Sequence, residues 1–317
     1  IQQEWELEEA GDAISSPAIA DGVVYYPTDD QLYALDIDDG SVLWTSEVVG
    51  GGNTTPAVSD EIVYTLTSGS LYAIDAETGD TVFIFDLDRP NSSPTVINET
   101  VYIGDSTGLN AIHAQDGSQR WQHEMDGTNS VHTPAVEGDT VYMSNGDNSI
   151  YALDIEEGTQ KWQFNTNSSS ENLVVRDGTI YTLTGDDGDE NLYAIDATDG
   201  TERWAVPVPG AISAPAVASG TVYYCSHDTI LHAVDATNGT ERWVFEEESR
   251  TGFPAPAIAG NTVYVGTLQE VLYGINAETG EKRWSFALNQ DDDLDSPIGP
   301  PAVANSTVFV ETTGDPL

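Results

Sequence analysis

Ten residues, "LYAIDAETGD" at 71–80, recur along the chain, and this recurrence restricts the possible folds more than any other feature. Related copies begin at Leu32, Leu109, Ile150, Leu192, Leu231 and Leu272. Each contains a glycine, at Gly40, Gly79, Gly117, Gly158, Gly200, Gly239 and Gly280, and the spacings run from 38 to 42 residues. A second marker, Pro-Ala-Val or a close variant, leads each unit at Pro17, Pro56, Pro94, Pro134, Pro215, Pro256 and Pro301, with Leu173 in place of Pro in the fifth. The leading marker thus occurs once more than the glycine turn. A period of about forty residues means stacked supersecondary units, each too small to bury a core alone.

Within a unit the pattern is that of strands. "VVYYPT" after Gly22 and "TVYVGT" after Asn261 are β-branched and aromatic runs with period-two alternation, bounded by Gly, Asp and Asn. Each unit reads as four short strands: A through Pro-Ala-Val/Ile, B through Val-Tyr, C through Leu-Tyr-Ala-Ile-Asp, and D around an aromatic. No helical period is present. In the D-x-x-x-G turn between C and D, the Asp accepts turn N–H groups and the Gly supplies a positive φ. Four residues past each Gly stands a ring: Trp44, Phe83, Trp121, Trp162, Trp204, Trp243 and Trp284. One flat ring per unit in constant register suits a spacer between units, and the Ala two residues before the Asp, as in Ala73–Asp75, leaves room for it.

Four-stranded units of this length predict an all-β chain, an eight-bladed β-propeller of antiparallel blades forming a single domain over 1–317. The blades are expected at about 15–50, 54–88, 92–126, 132–166, 171–208, 213–248, 253–289, and 297–317 plus 1–10. Pro301 and Leu317 stand as far apart as Pro256 and Leu272, so the eighth unit reaches only the start of strand C. "WELEEAGDAISSP" before Pro17 matches the strand D register of "WTSEVVGGGNTTP" before Pro56. The expectation is a ring closed by the N-terminal strand at Trp5 joining the C-terminal sheet, with the last blade incomplete.

The fullest copies read A-x-D-x-x-T-G-x-x-x-W. Over essentially the whole chain this resembles the tryptophan-docking motif of the quinoprotein-type, PQQ-like β-propeller repeat proteins. Departures are His113 for Asp in the third copy, Gly274 and Asn276 for Ala and Asp in the seventh, and Phe83 for Trp. The resemblance implies a tryptophan girdle that locks blades together. It also implies, for the enzymes of the family, a quinone over the ring centre between a Trp and a vicinal Cys-Cys disulfide, with Ca²⁺, basic groups for the quinone carboxylates and an Asp base. Cys225 is the sole cysteine, so that disulfide cannot form. Arg120, Lys161, Arg203, Arg242, Lys282 and Arg283 sit one or two residues before a strand D ring and read as solvent-facing blade-edge residues. No cofactor is therefore expected; PQQ with calcium belongs to the alternative reading, a PQQ-dependent dehydrogenase.

Charge sets the surroundings. Acidic side chains number 54 against 9 basic, a net charge of −45. Such a field repels phosphate backbones and anionic lipid, so nucleic acid and membrane insertion are not expected. An ordered fold this acidic suits concentrated salt, where the Debye length falls to roughly 3 Å at 1 M. Charge and resemblance together point to a halophilic archaeon. Six Asn-x-Ser/Thr sequons, at Asn53, Asn91, Asn98, Asn167, Asn238 and Asn305, suit an exported, extracellular or cell-surface protein.

Candidate binding residues lie in the D–A and B–C connections, the usual ligand side of such a fold. Arg89 ("DLDRPNSS"), His132 ("NSVHTP") and Arg250 ("EESRTGF") are cations in an acidic chain that suit a carboxylate; locally, they neutralise acids such as Asp88 or Glu248. In "GDDGDEN", Asp186, Asp187, Asp189 and Glu190 are oxygen donors of the kind that bind Ca²⁺, as are the acids of "DDDLD" at 291–295, though both also read as solvated acidic loops. No nucleophile triad, phosphate loop or zinc spacing is present. The expected activity is non-enzymatic binding or scaffolding by a monomer, with a protein or small-molecule ligand on the loop face. A sugar- or polyol-binding role is a third possibility.

Overall fold

The structure is a computed structural model that describes residues 3–7, 15–28, 31–47, 54–90, 92–125, 131–166, 168–185, 190–210, 213–226, 230–246, 254–267, 270–288, 298–304 and 307–310. These residues form strands and turns and no helix. The third repeat shows the unit: strands A (Thr95–Ile97), B (Thr100–Gly104), C (Gly108–His113) and D (Gln119–Glu124) pair antiparallel in sequence order. Seven such four-stranded sheets span 18–46, 57–86, 95–124, 135–165, 170–207, 216–246 and 257–287. They are the blades of a β-propeller. The chain divides into two compact units, the described residues of Ile1–Met143 with Leu153–Thr159, and those of Ser144–Ala152 with Gln160–Gly314.

The expected count of eight is corrected here to seven four-stranded blades among the described residues. The eighth repeat supplies a two-stranded sheet, Ala302–Ala304 with Thr307–Phe309. Among the described residues, which reach 310, no C–D pair is seen beside these two strands, whereas each of the other repeats supplies all four. The expected pairing of the Trp5 segment with that sheet is likewise not present among the described residues, since 3–7 carry no strand. Trp5 nonetheless donates its Nε1 to Ile37 O at 3.0 Å, as the strand D tryptophans do to later turns.

Strands B and C form the core. In blade 3 all of strand B is buried, including Val101, Tyr102 and Ile103, while strand D alternates exposed and half-buried residues. Alternation in the strand B sequence would suit a sheet with one wet face; here both faces are covered. In blades 1, 2, 3, 5 and 6 the two-residue A–B turn takes positive φ at both positions, as at Asp21–Gly22 (49° and 81°) and Asp60–Glu61 (49° and 64°). That backbone matches the twist of the flanking strands, and Asp-Gly adopts it readily.

The C–D turn is built by the repeated Asp and Gly. Asp75 Oδ1 accepts from Glu77 N (3.0 Å) and Thr78 N (2.8 Å), and Gly79 N donates to Asp75 O (2.9 Å). Strand D then carries a β-bulge: Ala73 faces Phe83 and Ile74 faces Thr81, leaving Val82 without a partner. The same irregularity leaves out Leu43, Arg120, Arg203, Arg242 and Arg283, each directly before its ring. A bulge re-aims the side chain of its extra residue. In blade 7 the ring opposes Gly274, where a Cβ would stand 2.2 Å from Trp284 Cε2; the departure from Ala is a matter of room.

Candidate functional site

A groove of about 530 Å³ opens beside blade 3, lined by Asp88, Arg89, Ser106, Thr107, Gln122, Glu124 and Met125. Its organising residue is Asp105, buried just past strand B. Asp105 Oδ1 accepts from Thr107 N (2.7 Å), Thr107 Oγ1 (2.6 Å) and Gly108 N (3.1 Å). Its Oδ2 accepts from Asn110 Nδ2 (3.2 Å) and Asp88 N (3.3 Å). One buried carboxylate therefore fixes both the B–C turn of blade 3 and the segment that leaves blade 2.

The groove-facing groups hang from this support. Ser106 N donates to Asp88 O (2.9 Å), and Ser106 Oγ donates to Asp88 Oδ2 (2.5 Å). Gln122 Nε2 donates to Thr107 Oγ1 (2.8 Å), which ties strand D to the same turn. Arg89 holds a left-handed φ of 50° and keeps its side chain 78% exposed, with Nε 3.7 Å from Asp88 Oδ1. Two carboxylates, one guanidinium, two hydroxyls and a carboxamide meet beside the apolar Met125. These groups are able to donate to and accept hydrogen bonds from a polar group placed in the groove. Ser106 and Thr107 supply its hydroxyls, and among the described residues no His, Lys or Tyr lines the groove.

Of the residues singled out in the sequence, Arg89 lines the groove and His132 does not. His132 follows Val131, whose amide donates to Asp105 O at 3.4 Å. Arg250 lies outside the described residues, as do Asp186, Asp187 and Asp189. Glu190 is described: it is half-buried, and its carbonyl accepts from Val208 N at 2.9 Å. Among the described residues no group of three or more His, Cys, Asp or Glu side chains is placed to hold a metal ion.

Sequence reasoning missed Asp105 and Asn110, although the repeat register marks both. Asp105 stands where other blades have Thr28, Thr67 and Thr267, and Asn110 where they have Tyr33, Tyr72 and Tyr273. They depart together because they touch.

The basic residues before the rings are exposed and also engaged. Arg203 donates to Asp196 Oδ2 (2.8 Å), Gly178 O (3.0 Å) and Thr179 Oγ1. Arg242 repeats this with Asp235 Oδ2 (2.7 Å) and Thr221 Oγ1. The guanidiniums are the first cause holding the Asp196 and Asp235 carboxyls below the usual range, with turn amides adding to it. Arg283 reaches Thr262 Oγ1 (2.7 Å), and Arg120 contacts His113 Nδ1 (3.1 Å), the residue in the Asp position. Each guanidinium ties its bulge to the start of strand B, and Arg120, Arg203 and Arg242 also reach the Asp position of the C–D turn. Cys225 is buried, and desolvation pushes its thiol well above its ordinary value.

Known proteins share this architecture. A computationally designed protein, Ika8, superposes with a TM-score of 0.83 at 17% identity, over 98% of this chain and 97% of that one. BamB from Moraxella catarrhalis gives a TM-score of 0.70 at 18% identity, over 91% of this chain and 87% of that one. The quinohemoprotein alcohol dehydrogenase ADHIIG from Pseudomonas putida HK5 gives 0.75 at 15% identity, over 98% of this chain and 71% of that one. At such identities these likenesses show the fold. No curated protein sequence matches the chain significantly. The family profile described as outer membrane protein assembly factor BamB, built on PQQ-like repeats, matches residues 2–182 and 148–314, and the chain belongs to that family of β-propellers.

Proposed function

We propose that the protein is a non-catalytic binding or scaffold propeller, and that the groove beside blade 3 is its contact site for a polar ligand or a protein surface. The observation that carries this reading is the support beneath the groove: buried Asp105 holds Thr107, Asn110 and the Asp88 backbone in place. Such fixed polar groups favour recognition because little ordering remains to be done on binding. The family's BamB member, named as an assembly factor, is consistent with a protein partner.

The rival reading, a quinone-dependent dehydrogenase, draws on neighbours such as the quinohemoprotein alcohol dehydrogenase. Two features of this chain weigh against that reading. Its one cysteine is buried in blade 6, and Arg120, Arg203, Arg242 and Arg283 are engaged within their own blades. In our reading the chain is a monomer from a halophilic archaeon, displayed outside the cell. The acidic composition supports the halophilic reading.

Titration calorimetry of pyrroloquinoline quinone with Ca²⁺ into the folded protein in concentrated KCl tests the reading, alongside alcohol-dependent reduction of an artificial electron acceptor. Neither heat nor turnover is expected. Stoichiometric binding together with turnover would replace the scaffold by an enzyme.

A further inference from the structure

Five large hydrophobic side chains are prominently exposed among the described residues, and four of them lie on strand D of the first two blades: Val42 (48%), Leu43 (51%), Val82 (46%) and Ile84 (51%). In a chain of net charge −45 this is an unusual place for them. Strand D ends each sheet, so its outer backbone groups have no strand beside them. Edge strands are ordinarily guarded by charged side chains, lysine above all. Blades 3 to 7 carry Arg120, Lys161, Arg203, Arg242 and Arg283 directly before the ring; blades 1 and 2 carry Leu43 and Val82 there.

That exchange has an electrostatic counterpart. In blades 5 and 6 the turn Asp presents Oδ1 to backbone amides and Oδ2 to the bulge arginine. In blade 2, Asp75 Oδ1 receives the amides of Glu77 and Thr78, and no basic side chain of the described residues pairs with it. Blade 1 is the same, with Asp38 N on Asp36 Oδ1. Past the bulge, Phe83 to Asp86 pair regularly with Ala73 to Ser70, so the far edge of that stretch is a regular strand edge.

We infer that the outer edge of blade 2 receives an extended, cationic segment of a partner protein as a fifth strand, with apolar residues over Val82 and Ile84 and a basic residue at Asp75. Main-chain hydrogen bonds give affinity in such strand addition, and alternate side chains give selectivity. Charge complementarity selects the occupant. A second copy of this chain would bring its own Asp75, Asp80 and Asp86 to the same edge, whereas a segment alternating Lys or Arg with Val or Leu supplies the missing cation and covers the aliphatic groups. Blade 1 offers a weaker version of this edge, because its apolar pair, Val42 and Leu43, sits at the bulge itself.

The test uses the full chain and a terminally blocked, fluorescent peptide of alternating lysine and valine, read by anisotropy at about 0.1 M salt. Saturable binding is expected. It should weaken at least about tenfold in Val82→Arg/Ile84→Lys and stay unchanged in Val244→Lys, whose blade keeps Arg242. Amide exchange of 82–86 should slow when peptide is bound. Should the double variant fail to fold, Asp75→Asn keeps the turn acceptor, removes the charge and is expected to weaken binding severalfold. Equal binding by a lysine–glycine peptide of the same charge would overturn the proposal, as would unchanged binding by a folded double variant. Self-association that is lost in the double variant without any peptide binding would assign the edge to a second copy instead.

Discussion

Trp44 occupies the space that a side chain on Gly79 would need: a Cβ there would stand 2.9 Å from Trp44 Cδ2 and Cε3, while Trp44 Nε1 donates to Ala76 O at 2.9 Å. The same relation links Trp121 to Gly158 and Ile155, Trp162 to Gly200 and Ala197, Trp204 to Gly239 and Ala236, and Trp243 to Gly280 and Ala277. The glycine is thus required twice, for its φ of 78° and for the indole of the blade before it.

Gly79→Ala should therefore destabilise by more than a turn substitution alone. Strain at positive φ and overpacking against Trp44 together are expected to cost about 2–4 kcal/mol. Gly260→Ala, also at positive φ (57°) but with open space around its Cβ, is the control. Thermal melts of the two variants should differ clearly; equal shifts would refute the role of Trp44.

Phe83 lacks the indole N–H, so among the described residues Ala114 O receives Tyr64 Oη (2.8 Å) and no ring N–H beside it. Ala277 O, by contrast, receives both Tyr223 Oη (3.0 Å) and Trp243 Nε1 (3.1 Å). Tyr64→Phe leaves a buried carbonyl without either donor and should cost about 1–3 kcal/mol, with Tyr223→Phe costing less. Denaturant unfolding of both variants decides. Burial also pushes the Tyr64 phenol up to about 12, Asp60 adding to it. Its neutral form is favoured in the folded state, so stability is full below about pH 10 and is lost as pH rises toward 12.

At the acid end two effects oppose each other. Hydrogen bonds from Thr78, Ser118 and Ser41 lower the Asp75, Asp116 and Asp39 carboxyls, and the guanidiniums of Arg203 and Arg242 lower Asp196 and Asp235. Their contribution is present above the unfolded value of about 3.9 and disappears as pH falls through the lower folded values. Protonation of the remaining acids meanwhile relieves self-repulsion from the charge of −45. In low salt the melting temperature is expected to rise from pH 7 to about 5 and to fall steeply below about 4. A monotonic decline from pH 7 would show that repulsion is not the limiting term.

Arg242→Gln should lower stability only modestly in dilute buffer, because the pair with Asp235 is partly exposed. In about 1 M salt the difference should shrink, since screening acts on the same interaction. A salt-independent loss would mean that the arginine acts through packing along Thr221 rather than charge.

Much of this architecture is legible in the sequence because each repeat is a local object: the Asp–Gly turn, the ring four residues on and the Ala opposite it all lie within one C–D hairpin. The pairing of Arg203 with Asp196 was not legible, since it depends on a bulge that turns the residue before the ring back toward its own turn. Spacing alone suggested a solvated edge. Charge marks Arg89 in the sequence, but the groove it lines rests on Asp105, whose place in a turn hides its burial. The eighth repeat misled for a different reason: Pro301 and Val303 mark strand A faithfully, and a leading marker says nothing about whether strands C and D follow.

The tryptophan-to-turn contact also has a direction. Each of the seven blades presents a ring on its last strand and a receiving turn just before it, a head and a tail of like shape. Because any head fits any tail, a forty-residue unit can be duplicated or lost as a block and leave a matched seam. Blade number in such a chain is therefore open to change by whole-unit recombination, while the packing of ring on glycine is kept at each seam, even where Phe83 replaces the indole over Gly117, and individual blades are left at liberty to vary, as blade 3 has done around Asp105.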